Sequence, residues 1–143
     1  MKTQTFTPAR LSLLLALAVG GLAACGNDDE NSIPSGESAG EITVTSTPWA
    51  KGTRMQSTAH TFEAVKGETF SFKGIFQDDS TGTIDSVSAD SVTVTINGSM
   101  RVPEEGSVTD PSFTIADGQT IEFETNSEDA GVLYEITFEA ADS

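Results

Sequence analysis

Apolar and polar residues alternate along most of the chain, and only its first two dozen residues break that rule. An uncharged, mostly apolar run covers residues 11–24, behind Lys2 and Arg10. A bilayer span needs about 20 such residues, so this shorter run has the size of a secretory leader's core. From residue 41 onward the period is two. Residues 41–46 (EITVTS), 60–64 (HTFEA), 69–76 (TFSFKGIF), 91–96 (SVTVTI), 112–115 (SFTI), 120–124 (TIEFE) and 132–140 each place apolar residues on one parity. That pattern, rich in Thr, Val, Ile and Phe, predicts half-buried antiparallel strands. The expected core is Phe62, Phe70, Phe72, Phe76, Val92, Val94, Ile96, Phe113, Ile115, Ile121, Phe123, Tyr134, Ile136 and Phe138. No stretch after the leader carries a helical stripe longer than a turn or two.

Three turns sit between these strands, at Lys66-Gly67, Asn97-Gly98 and Asp117-Gly118. A two-residue hairpin loop would put Val94 and Val102 on opposite faces. A three-residue loop with glycine last instead pairs Val94 with Met100, Val92 with Val102, Phe62 with Phe70 and Phe113 with Ile121. The glycine then takes the left-handed conformation that such a loop requires. The other route is a turn that carries the chain from one sheet to another, where this parity does not apply. Seven or eight strands spaced 8–12 residues apart, without helix, predict an all-β fold, an antiparallel β-sandwich over residues 41–143. A sandwich of this length can fold alone, burying roughly 65% of its chain surface.

The end of the leader, Leu22-Ala23-Ala24-Cys25, resembles the lipobox of bacterial lipoproteins. The resemblance implies cleavage before Cys25, a diacylglyceryl group on its sulfur and a further acyl chain on the new amino terminus. Two or more chains make a durable anchor where one binds only marginally. Cys25 is the chain's one cysteine, so an internal disulfide, a thiolate zinc cluster and an iron–sulfur site are excluded. Residues 26–40 (GNDDENSIPSGESAG) carry little to bury and read as a tether with a span of about 21 Å. Its Asp28-Asp29-Glu30 resembles the export signal of surface lipoproteins in some outer-membraned bacteria. The expected place is the bacterial cell envelope, lipid-anchored on the periplasmic face or the cell surface.

The charge balance narrows the partners. Twenty-two acids against seven bases give a net charge of −15. Loss of Lys2 and Arg10 with the leader leaves five bases against the same acids, or −17. Nucleic acid is excluded, because a phosphate backbone is held by clustered Lys and Arg. An anionic bilayer would repel the domain, so membrane contact is expected through the lipid on Cys25 alone. A salty habitat, where screening removes self-repulsion, would also suit this composition.

The order FKGIFQDD (72–79), SVTVTING (91–98), SFTIADGQTIEF (112–123), DAG (129–131) and YEITFEAAD (134–142) is similar to the immunoglobulin-like modules of bacterial surface and secreted proteins. This implies an immunoglobulin-like sandwich placed outside the cytoplasm, and no common catalytic residues. The DAGVLY run at 129–134 is one residue longer than the immunoglobulin tyrosine-corner pattern, so no such corner is expected.

Candidate chemistry is sparse. His60 is the one histidine. It reads as a surface residue, and no enzyme activity and no cofactor are expected. Asp78, Asp79 and Asp85, around Gly82, are weak calcium candidates on an expected loop, since calcium takes six to eight oxygens. Glu122, Glu124, Glu135 and Glu139 share one outward face if their strands pair, as a solvated acidic surface or a cation- or partner-steering one. Trp49 is expected to close an end of the sandwich, with stacking on a sugar as its other role. The expected function is non-catalytic, either binding an unknown protein partner or acting as an envelope spacer. The alternatives are a periplasmic inhibitor or accessory subunit of a neighbouring envelope complex, which predicts ordered loops around 99–111, and a calcium- or carbohydrate-binding module.

Overall fold

The computed structural model describes residues 33–74 and 78–142. Cys25, the leader, the acidic triplet at 28–30 and the expected core residue Phe76 lie outside them. The described residues form eleven strands and no helix. In chain order these are β1 (Ser38–Ala50), β2 (Thr53–Arg54), β3 (Thr58–Val65), β4 (Thr69–Lys73), β5 (Asp79–Val87), β6 (Ser91–Ile96), β7 (Ser99–Val102), β8 (Gly106–Thr109), β9 (Ser112–Ala116), β10 (Thr120–Thr125) and β11 (Ala130–Ala140). Seven of them make one sheet in the order β2-β1-β11-β10-β7-β8, with β3 also on β1, and four make a second in the order β4-β5-β6-β9. The protein is an all-β antiparallel sandwich, as the alternation predicts.

The count exceeds the seven or eight expected. Residues 78–85, expected as a loop, lie mostly within β5, because Gly82 pairs with Phe70 and a Cβ there would run into the Phe70 ring. The aromatic ring covers the bare backbone, so the glycine sits within a strand and not in a turn. Strand β1 also begins earlier than residue 41. Ala39 is buried and Ile33 packs against the core, so part of the expected tether belongs to the sandwich. Ile33 is the only large apolar residue in that segment, and the core takes it.

All three glycine turns have the expected left-handed glycine, with φ of 86° at Gly67, 108° at Gly98 and 70° at Gly118. None closes a hairpin. β3 and β4, β6 and β7, and β9 and β10 lie in different sheets, so the four expected pairings do not occur. Each turn carries the chain across the sandwich. Phe62 and Phe70 still meet, with ring centroids 5.2 Å apart, but across the interface between the sheets.

The core lies between the sheets. Ten of the fourteen expected residues are buried there, joined by Ile42, Val44, Ile84, Met100, Val102 and others. Phe62, Phe113 and Ile121 are only half-buried, and each sits at a sheet margin or a gap in pairing. Tyr134 is at the centre. Its ring lies 5.0 Å from Phe72 in an edge-on arrangement and 5.1 Å from Phe123. Its hydroxyl is 3.2 Å from Ser80 Oγ, a side chain on the opposite sheet, and no tyrosine corner is made.

Burial pushes the Tyr134 hydroxyl above its ordinary pKa, while the bond to Ser80 pulls the other way. A raised folded value favours the folded state fully below the unfolded value of about 10. That contribution is lost as pH rises through the folded value. Stability is therefore expected to fall above about pH 10, together with the appearance of tyrosinate absorbance. Tyr134 is the chain's one tyrosine, so the signal is unambiguous, and Tyr134→Phe should flatten the alkaline limb of the stability curve.

Threonines cover much of the two outer faces. On the larger sheet Thr61, Thr43, Thr137 and Thr120 stand in one cross-strand row, with hydroxyl contacts of 3.0 and 2.8 Å at its two ends. Glutamates flank that row. Glu41 stands between Glu63 and Glu139, and Glu122 opposes Glu135. Like charges directly opposed cost stability. Glu41→Lys turns two repulsions into attractions and is expected to stabilise by about 1 kcal/mol at low salt, read as a higher urea midpoint, with the gain shrinking as salt is added.

Candidate functional site

The outward parity of the larger sheet is polar along β1 and β11 until their far ends. Glu41, Thr43, Thr45 and Thr47 are followed by Trp49. On β11, Glu139, Thr137 and Glu135 run toward Leu133. Two large apolar residues thus break the alternation at neighbouring places, since Thr47 pairs with Leu133 and Trp49 with Gly131. Gly131 makes room for the indole. A Cβ there would stand 2.8 Å from Trp49 Cζ2 and collide with Thr125 Oγ1. Thr125 Oγ1 is instead free to accept the Val132 N–H at 3.0 Å. Trp49 is half-buried, and its Nε1 is buried without an acceptor among the described residues.

Next to Leu133 stands Glu124 on β10, and next to Glu124 stands Arg101 on β7. Arg101 Nη1 donates to Glu124 Oε1 at 3.2 Å. Both side chains are substantially exposed, so the pair adds little stability, yet it divides the surface. On one side is a cavity of about 350 Å³ between Trp49, Gly52, Arg54, Ser127 and Glu128. On the other is a cavity of about 440 Å³ between Pro103, Glu104, Gly106, Glu122 and Phe123. Arg101, Glu124 and Leu133 line both. The two cavities meet along these three residues, and the groove they outline mixes the apolar Trp49, Leu133 and Phe123 with charged side chains. Lys51, Arg54 and Arg101, three of the five bases after residue 24, stand at this end of the sheet.

The sequence-predicted residues distribute unevenly around this groove. Glu122, Glu124, Glu135 and Glu139 do share the outward face of β10 and β11, and the first two line the groove. Trp49 lines it as well, half-buried at the end of β1. His60 is exposed on β3, 6.5 Å from the Phe62 ring, and lines neither cavity. The three aspartates are not brought together. Asp79 and Asp85 lie on β5 six residues apart, or about 20 Å at strand rise, and Asp85 accepts the Thr95 hydroxyl at 2.6 Å. No group of three ligand-type residues able to hold a metal ion occurs among the described residues. No family model, curated protein or solved structure matches the chain.

Sequence reasoning passed over Arg101, Leu133 and Pro103. The signal for Leu133 was present, since it follows Val132 and so occupies a polar parity in an otherwise alternating strand. Arg101 carried none, because its partner Glu124 lies 23 residues away and only the pairing of β7 with β10 joins them. The segment 99–111, expected either as loops or as the return arm of a hairpin with β6, is instead a hairpin of its own. β7 and β8 pair from Ser99↔Thr109 to Val102↔Gly106.

Proposed function

We propose that the chain is a lipid-anchored, non-catalytic β-sandwich of the bacterial cell envelope that holds a protein partner against the outer face of its larger sheet. The observation that carries this reading is the groove across Arg101 and Glu124. It brings apolar side chains, opposite charges and two of the five bases after residue 24 together, on a sheet face otherwise rich in threonine and glutamate. The groove also lies at the end of β1 opposite to the N-terminal segment, roughly 40 Å along the strand at its usual rise. A partner bound there stands clear of the bilayer that Cys25 would hold. The lipobox residues Leu22-Ala23-Ala24-Cys25 support the anchor. Accessory-subunit and inhibitor roles are forms of the same reading, and a passive spacer would have no use for the groove.

Two measurements test it. Radiolabelled fatty acid should appear on the wild-type chain and be lost with Cys25→Ala, which should also leave the membrane fraction. A photo-crosslinking residue at Leu133 should give one discrete product in native membranes, while the same residue at Thr93, on the opposite outer face, should give none. Absence of the label removes the anchor, and equal products from both faces remove the site. A carbohydrate-binding reading is favoured by Trp49 standing beside Arg54. Since Trp49 is the chain's one tryptophan, a fluorescence change with soluble oligosaccharides would report it directly.

A further inference from the structure

Strand β10 is paired along its whole inner side by β11, from Thr120 to Glu124. On its other side β7 meets it only at Glu124 and Thr125. Continuing that register would set Val102 opposite Phe123 and Pro103 opposite Glu122. Proline has no N–H for a ladder, and at this point the chain turns away into β8, with Glu104 at φ 68° and Gly106 at φ 84°. Residues 120–123 therefore present a strand edge without a strand beside it among the described residues. The 440 Å³ cavity opens at one end of that edge, beside Glu122 and Phe123, with Pro103, Glu104 and Gly106 across from them.

We infer that this edge accepts a short extended segment of a partner protein, added as a strand beside β10, in which basic residues alternate with apolar ones. The inference rests on the protein-binding reading above and names the kind of segment bound. Its reach follows from geometry, because four residues of strand edge span about 13 Å, enough for three or four partner residues. Its pattern follows from the two faces of β10. Cross-strand neighbours share a face. A residue beside Glu122 therefore points outward, between Glu122 and Glu104, where a lysine or arginine is favoured. Residues beside Ile121 and Phe123 point inward, over Ile121 and Phe113, which are only half-buried. Main-chain bonds supply affinity and the alternate side chains supply selectivity, as in other strand additions. The net charge of −15 steers a cationic segment and repels an acidic one.

The test uses the ¹⁵N-labelled full chain in detergent micelles and the peptide acetyl-Lys-Val-Lys-Val-Lys-amide. Amide signals of residues 120–124 and of Gly106 should shift, and Glu122→Gln should weaken binding about fivefold at low salt. Methylating the backbone nitrogen of the central lysine, whose N–H faces Glu122 in an antiparallel ladder, should abolish the shifts. The acetyl-Glu-Val-Glu-Val-Glu-amide analogue should produce none. The inference is overturned by unchanged signals at 120–124, by equal binding of the methylated peptide, or by shifts confined to the β3 edge. It is also overturned if those signals move with protein concentration alone, which would make a second copy the occupant. If the peptide fails while Leu133 still crosslinks, the inference falls and the protein-binding reading stands. If both fail, both fall.

Discussion

Replacing Tyr134 with alanine is expected to destabilise the sandwich by about 3–5 kcal/mol. Tyr134 is the largest of the fully buried side chains, and it touches both sheets, through Phe72 and Ser80 on one and Phe123 on its own. Its loss removes the transfer energy of a whole aromatic ring. It also leaves a void between strands whose hydrogen bonds prevent collapse, and the oxygen of Ser80 loses its partner. Against a typical folding free energy of about 5–15 kcal/mol this is a large share, and a thermal midpoint lower by roughly 10–20 °C should follow. Tyr134→Phe keeps the ring and removes only the hydroxyl contact, for a cost of about 1 kcal/mol. Urea unfolding of both variants checks the contrast. Similar losses from the two would mean that the hydroxyl, and not the packed ring, holds the sheets together.

Gly40→Ala is the second large effect. Gly40 sits where the pairing of β1 with β3 shifts register, between Ser38 and Glu41, and its φ is 147°. A methyl group there would run into the backbone oxygen of Glu139 and stand 2.8 Å from Ala140 Cα. Those atoms belong to the paired strand β11 and cannot swing aside as a side chain would. Backbone strain and the forced shift together should cost about 2–4 kcal/mol. Gly67→Ala is the control. Its φ is also positive, at 86°, but nothing lies within 4 Å of the added carbon, so only the conformational cost of about 1 kcal/mol remains. Calorimetric midpoints of the two variants should therefore differ by several degrees.

Much of this architecture was legible in the residue pattern, for a local reason. Val92, Val94 and Ile96 alternate with threonine because β6 has one face in the core and one in water, and that asymmetry is written along the strand itself. The left-handed glycines at 67, 98 and 118 were legible too, since only the backbone at the turn decides them. Where each turn sends the chain was not. The same Asn97-Gly98 can close a hairpin or cross between sheets, and the outcome depends on which distant strands already pair with β6, namely β5 and β9. The groove was half legible for the same reason. Trp49 and Leu133 betray themselves by sitting on polar parities. The juxtaposition of Arg101 with Glu124, and the gap that Pro103 leaves beside β10, exist only once β7 has found β10.

The arrangement of β1 has a mechanical consequence. Its eleven pairings with β11 run from Gly40↔Ala140 to Ala50↔Ala130, and seven more join it to β3. A pull entering through the N-terminal segment and leaving through a partner seated near Trp49 would run along the strand axis. Ladder bonds lie across that axis, so they bear such a load side by side, and none can give way ahead of the rest as in an unzipping hairpin. The same domain pulled from its two ends, which meet at Gly40 and Ala140, would peel one bond at a time. Resistance to force is thus expected to depend on direction, high between tether and groove and low between the termini.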